Sequence, residues 1–251
     1  LLGSAIVIIH LTENGEKKTI TFTGDLGNTN IPIIRDYEYI EGTDYLITES
    51  TYGDRIHQMA SESENLGNII INTVKNGGNV IIPSFAVGRT QEILYILNYY
   101  IDIEKIQELN DIEFFLDSPL AIQATQIFEK HQECYDKEAL GILTKDIDPI
   151  YFNNLNVVQD SEGSKALNEK NGVVIISSSG MCEAGRIKHH LKYNIWRKDS
   201  AIVFVGYQAE GTLGRRILDG EKNISIFGEK MIVQASIISL VCQATLIKRV
   251  Y

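Results

Sequence analysis

Four short apolar runs decide what this chain can fold into. They are "NVIIPS" (79–84), "IEFFLDSP" (112–119), "GVVIISSSGM" (172–181) and "AIVFVGYQ" (201–208), and each ends in a turn rich in serine, glycine or proline. Unbroken apolar runs of this length, bounded by turn residues, are the mark of strands covered on both faces. Between and after them lie amphipathic stretches: "RTQEILYILNYY" (89–100), "PLAIQATQIFEKH" (119–131), "GRIKHHLKYNI" (185–195) and "GTLGRRILDG" (211–220). Pro119 suits the first turn of its helix, where no amide donor is needed. An earlier helix is expected in "SENLGNIIINTVKNGG" (63–78), between a serine start and a double-glycine stop. Strands alternating with helices across 60–220 predict an α/β fold with a mostly parallel, helix-flanked sheet. The polar stretch 131–170 carries no clear period and is expected to be irregular.

The beginning of the chain is built differently. "AIVIIHL" (5–11) and "KTITF" (18–22) flank "TENGE", whose Asn14-Gly15 is a strong hairpin signal. "DYLITE" (44–49) reads as a third strand, so an antiparallel start forms a separate layer. Near the other end "NISIFGEKMIVQASI" (223–237) reads as two strands around Gly228. The 251 residues, 44% apolar, suffice for one large domain or two smaller ones. No apolar run is long enough to cross a bilayer, and no signal peptide is visible. Cys134, Cys182 and Cys242 stand far apart, which suggests a reducing, cytoplasmic setting and neither a disulfide frame nor a zinc knuckle. A net charge of −10 argues against indiscriminate nucleic-acid binding and leaves room for a local basic cleft.

The residues that could carry chemistry sit at strand ends. Asp25, in "TITFTGDLGN" (19–28), and Glu49 each close a strand, and either alone could simply accept turn amides. Two carboxylates ending neighbouring strands on one edge suit a divalent cation or proton transfer. "PSFAVGRTQEIL" (83–94) puts Ser84, Gly88, Arg89 and Thr90 at a strand-to-helix junction, where backbone amides and a guanidinium make an anion site. "SSSGMCEAGR" (177–186) repeats that design, and two such junctions in one domain point to a phosphate-lined groove. The helix from Gly185 carries Arg186, Lys188, His189, His190, Lys192, Arg197 and Lys198, the densest basic run, which reads most simply as a solvated face. His189 and His190 diverge by roughly 100° on a helix and are poor joint ligands. His57 reads as a surface or structural histidine.

In order and spacing, "LLGSA", "FTGDLGN", "ITESTYGDR", "IPSFAVGRTQEIL", "LDSPLA", "SSSGMCEAGRIKHHL" and "VGYQAEGTLGRRI" resemble the β-CASP family of metallo-β-lactamase-fold RNA-processing nucleases, over about residues 1–238. The resemblance implies an α/β/β/α metallo-β-lactamase layer (1–55), an inserted β-CASP domain (56–222) and a return to the first domain (223–251). It implies a zinc-dependent ribonuclease with two zinc ions, acting as an endonuclease and with 5′ exonuclease activity within the family's range. Asp25 matches the aspartate that bridges both metals, and Glu49 the acidic residue that orients a general-acid histidine. Ser84, Arg89, Ser178, Ser179 and Gly180 match positions facing the RNA. RNA is the expected partner, no membrane is expected, and a homodimer is an allowed assembly.

The same resemblance sets expectations for the chain ends. The family's upstream histidine motif would precede Leu1, and its Ser-Gly-His-Ala-Asp motif is replaced by the tail 241–251. Codons for that tail, read one base earlier, can encode the missing motif, so a frameshifted, inactive fragment is expected. A noncatalytic RNA-binding or scaffold module is the alternative. A hydrolase of small thioesters or lactams is a third reading, disfavoured by the long inserted domain.

Overall fold

The computed structural model describes residues 1–27, 29, 31–50 and 66–240. His57, Cys242, the first residues of the helix expected at 63–78 and the tail from 241 lie outside the described residues. At the start, β1 (Val7–Glu13) and β2 (Glu16–Phe22) form an antiparallel hairpin, and β3 (Tyr45–Ile47) adds to β2 in parallel. The hairpin turns where Asn14-Gly15 predicts, with both residues at positive φ (51° and 83°), the conformation this dipeptide tolerates best.

The rest is a larger α/β unit. Its elements are α1 (Leu66–Lys75), β4 (Val80–Pro83), α2 (Arg89–Asn98), α3 (Gln107–Asn110), β5 (Glu113–Leu116), α4 (Pro119–Lys130), α5 (Lys137–Leu143) and β6 (Leu155–Val157). They continue with α6 (Ser161–Ala166), β7 (Val173–Ser177), α7 (Ile187–Asn194), β8 (Ala201–Phe204), α8 (Leu213–Leu218), the hairpin β9 (Asn223–Ile226) and β10 (Glu229–Ile232), and β11 (Ser236–Ser239). Six strands lie in the order β11-β8-β4-β7-β5-β6, every pair parallel. The α/β class and the parallel sheet are those the sequence predicts.

Strand periodicity divides the apolar side chains between the two faces. Val80, Ile82, Phe114, Leu116, Val174 and Ile176 point to the face covered by α1, α2, α4 and α5. Ile81, Phe115, Val173, Ile175, Ile202 and Phe204 point to the other, covered by α7, α8 and the β9–β10 hairpin. Each fully buried isoleucine or phenylalanine contributes about 1.5–3 kcal/mol of transfer free energy, which is why the central strands need no polar face.

The stretch 131–170 is more ordered than its composition predicts. It supplies α5, β6 and α6 and buries Tyr135, Ala139, Ile142, Ile150 and Phe152 in the core. Its helices are too short for an amphipathic period to show, but their caps are local: Asp136 accepts from the Ala139 amide and Asp160 from the Gly163 amide, each at 2.7 Å. Tyr135 also anchors the beginning of the chain. Ile34 bridges to it, the Asp136 amide donates to Ile33 O at 2.7 Å, and Ile33 itself is fully buried in the core. Among the described residues no helix is long and apolar enough to cross a membrane.

Candidate functional site

In a parallel sheet, ligands gather where neighbouring strands send their connections to opposite faces. Connections alternate between the faces along β8, β4, β7 and β5, and the central such point lies between β4 and β7. α2 follows β4 and packs on one face through Ile93, Leu94 and Leu97, whereas α7 follows β7 and packs on the other through Ile187 and Leu191. The two turns leaving this point are the two junctions singled out in the sequence, and the Ser84 amide joins them by donating to Ser177 O at 2.9 Å.

The β4 turn is held from within. Gly88 has φ +85°, and its amide donates to Oε1 of the buried Gln91 at 2.7 Å, while Gln91 Nε2 donates to Thr125 Oγ1 at 2.9 Å. Ser84 is buried, its hydroxyl accepting from Thr90 Oγ1 at 3.1 Å. Arg89 opens α2 and pairs with Glu92 at 2.6 Å, with its side chain only 27% exposed. Phe85 projects to the surface beside Gly180, where an added Cβ would come within 2.8 Å of its ring.

The β7 turn is fixed at both ends. Ser118 Oγ donates to Ser178 Oγ at 2.9 Å, the Ser179 amide to Ala184 O at 3.1 Å, and the Ile187 amide to Ser178 O at 3.2 Å. Gly185, at φ +79°, passes so close that a Cβ would lie 2.2 Å from Ser178 O. Gln208, buried in the turn after β8, donates through Nε2 to Gly180 O at 2.9 Å. Ser178, Ser179 and Gly180 therefore form a stiff loop of hydroxyls and amides.

Beneath that loop is a cluster that sequence reasoning missed. Asp117, fully buried at the end of β5, accepts at 2.6 Å from each of three donors: Ser164 Oγ, Arg186 Nη1 and His190 Nε2. Burial alone would raise its pKa, but the bonds from His190, Ser164 and Arg186 outweigh it and hold the carboxyl below its usual range. Arg186 also donates to the carbonyls of Val158 and Gln159. Arg186 and His190 thus leave the basic run expected to be a solvated face and become interior supports of the hydroxyl loop. The available signal was an aspartate directly after "FFL", a charge set where a strand runs into the interior.

Asp25 and Glu49 follow neighbouring strands at one edge. The β2–β3 register ends at Phe22 opposite Ile47, so both carboxylates follow at the same edge. Glu49 Oε1 accepts from the Gly27 amide at 2.8 Å and so holds the Asp25 loop, while Ser4 Oγ donates to Asp25 O at 2.9 Å. Asp25 itself is exposed, in a cleft of about 400 Å³ that it shares with residues 1–6 and 34–38. The segment 1–4 continues to the β4 turn, where a Cβ on Gly88 would meet Leu1 at 2.6 Å. Among the described residues no three His, Cys, Asp or Glu side chains are grouped to hold a metal ion. Zinc sites take three or four protein ligands, so the described residues do not by themselves make one.

Comparison with known proteins places this geometry. The Beta-Casp domain family matches residues 90–217, about half of the chain. Ribonuclease TTHA0252 of Thermus thermophilus is 36% identical over 242 residues, covering 96% of this chain and 54% of that protein. An RNase J-like protein of Methanocaldococcus jannaschii is 34% identical over 249 residues, again 96% of this chain and 54% of the relative. The transcription termination factor FttA of Pyrococcus horikoshii is 33% identical over 236 residues, 92% of this chain and 35% of that protein. The chain thus spans about half the length, or less, of these curated relatives. The domain match, together with the parallel sheet and its paired hydroxyl turns, shows that the chain belongs to the β-CASP family.

Proposed function

We propose that this chain is the substrate-binding part of a zinc-dependent ribonuclease that hydrolyses RNA phosphodiesters as an endonuclease, with 5′ exonuclease activity as a second mode. The observation that carries the reading is the adjacency of two hydroxyl- and amide-rich turns, after the paired strands β4 and β7, whose connections leave to opposite faces. Such turns suit phosphate oxygens, because they present donors that need no rearrangement on binding. Ser178, Ser179 and Gly180 form one wall. Arg89, at the first turn of α2, supplies the positive charge of the other, and Ser84 ties that turn to the β7 strand. Relatives named as ribonucleases support RNA as the substrate.

Asp25 contributes one carboxylate to the metal site of the longer protein, whose other ligands come from outside the described residues. Glu49 keeps the Asp25 loop in shape through the Gly27 amide. In this reading residues 1–55 belong to the metallo-β-lactamase layer and 56–222 to the β-CASP insertion. The chain by itself binds RNA and does not cut it. The second reading, a noncatalytic RNA-binding or scaffold module, is favoured by the lack, among the described residues, of three His, Cys, Asp or Glu side chains grouped to hold a metal ion.

The test is binding of labelled single-stranded RNA over a range of salt concentrations. Arg89→Ala is expected to weaken binding and to reduce the slope of log K against log salt by about 1. Unchanged affinity and slope would remove Arg89 from the groove and sink the phosphate-binding reading. For the longer protein, Asp25→Ala is expected to lower bound zinc, measured by elemental analysis. Full zinc occupancy in that variant would take Asp25 out of the metal site.

A further inference from the structure

On the far side of α7 from the core, the chain displays rings and lysines in a regular array. His189, Tyr193 and Trp196 follow one another at four and three residues, so they share one side of the helix and its closing turn. His189 is exposed, as are Tyr193 (44%) and Trp196 (51%). The stripe is extended by Phe227 at the tip of the β9–β10 hairpin, half exposed and stacked on His189 with ring centres 4.6 Å apart and a 35° tilt. Lys188 lies over the Phe227 ring at 5.1 Å, and Lys192 stands one turn further along the helix. The four side chains that α7 turns inward are accounted for, since Ile187, His190, Leu191 and Asn194 are buried. Nothing in the core requires the outward ones.

We infer that this stripe is a second binding site, a stacking platform for single-stranded RNA that lies outside the groove of the hydroxyl turns. It rests on the reading that the chain binds RNA. Bases stack on aromatic faces regardless of sequence while lysines follow the backbone, and this stripe offers both. From His189 to the end of α7 at Asn194 the helix rises about 7–8 Å, room for roughly two stacked bases at about 3.4 Å each, with Trp196 beyond it in the closing turn. Lys188 and Lys192 stand among these rings in a protein of net charge −10. Burial and then the neighbouring His190, Lys192 and Lys165 lower the pKa of His189, which leaves it a neutral ring suited to stacking. One carboxylate opposes the site: Glu229 pairs with Lys192 at 2.6 Å, but it is 59% exposed and exchangeable with phosphate. Protein-binding surfaces are poor in lysine at their centres, whereas here lysines alternate with the rings, which favours RNA over a protein partner. α7 begins directly after the loop 178–185, so the stripe's helix is joined to the groove's hydroxyl turn.

Trp196 is the chain's sole tryptophan, so its fluorescence reports on this site alone. Addition of a 20-nucleotide uridine oligomer to the chain is expected to quench that emission saturably. Tyr193→Ala with Trp196→Ala is expected to weaken binding of the 20-mer by at least about tenfold by anisotropy, while Tyr193→Phe with Trp196→Phe, which keeps the rings, restores it. A 6-mer, short enough for the groove, is expected to lose affinity only in Arg89→Ala. If the 20-mer binds without quenching and the alanine pair binds as the wild type does, the stripe is no RNA site and is left to a protein partner, while the groove reading stands. If neither oligomer binds the wild-type chain, both readings fall together.

Discussion

The three-stranded sheet at the start of the chain and the six-stranded parallel sheet both contain apolar strands, in opposite surroundings. In the parallel sheet β4, β7 and β8 are buried at every residue, whereas β1 and β3 are exposed along their whole length. Val7, Ile8, Ile9 and Leu11 of β1 and Tyr45, Leu46 and Ile47 of β3 are each between 39% and 57% exposed. Hydrophobicity alone therefore does not say where a strand ends up. Burial in the larger unit comes from connections that lay helices on both faces, and the three-stranded sheet has only one hairpin and one crossover. A contiguous apolar surface of that kind calls for a cover, and the chain spans about half of the relatives with which it shares this region.

The contrast can be broken most severely from inside. Asp117→Ala strands Arg186 and His190 without their buried partner and is expected to cost about 3–5 kcal/mol, read as a loss of the parallel-sheet unit in urea unfolding. A paired comparison comes next. Ile175→Ala, in β7, is expected to cost about 2–5 kcal/mol, and Ile8→Ser, in β1, no more than about 0.5 kcal/mol. Equal costs in urea titration would mean that β1 is covered in solution, and sedimentation would then show self-association. Gly185→Ala forces a Cβ against Ser178 O at a positive φ and is expected to cost about 1–3 kcal/mol, while leaving β1–β3 untouched. RNA affinity should fall with it, since the hydroxyl loop moves.

The smallest effect is in acid. The folded-state pKa of Asp117 lies below its unfolded value, so its contribution is complete above the ordinary aspartate range near 3.9 and is lost as the pH falls through the lower folded value. The difference in urea midpoint between the wild type and Asp117→Asn is expected to be constant above about pH 5 and to narrow below pH 4. A constant difference down to pH 2 would show that the carboxylate's charge is not what the three donors stabilise.

Local and periodic features were legible in the sequence. The Asn14-Gly15 turn, the four buried strands and the helix opening at Pro119 are written in consecutive residues. That Asp25 and Glu49 follow paired strands at one edge could be read from the two strand ends. The Asp117 cluster could not, because its donors Ser164, Arg186 and His190 lie 47, 69 and 73 residues away. No local pattern marks such a meeting, and the same arginine and histidine look like surface charge when read along their own helix. Gln91 and Gln208, which clamp the two turns, are likewise polar residues whose burial depends on partners elsewhere.

The order of strands across the parallel sheet has a consequence for synthesis. β4, the first of the six to be made, is central, and both of its neighbours are made late. Asn79, just before it, contacts Val173 and Ser200 at separations of 94 and 121 residues. At ribosomal speeds of about 5–20 residues per second, the edges of β4 wait on the order of 5–20 s for β7. During that interval "VIIP" and helix α2 must be shielded by transient neighbours or by a chaperone. The strand that organises the finished sheet is thus the one most exposed to misassembly while the chain is still being made.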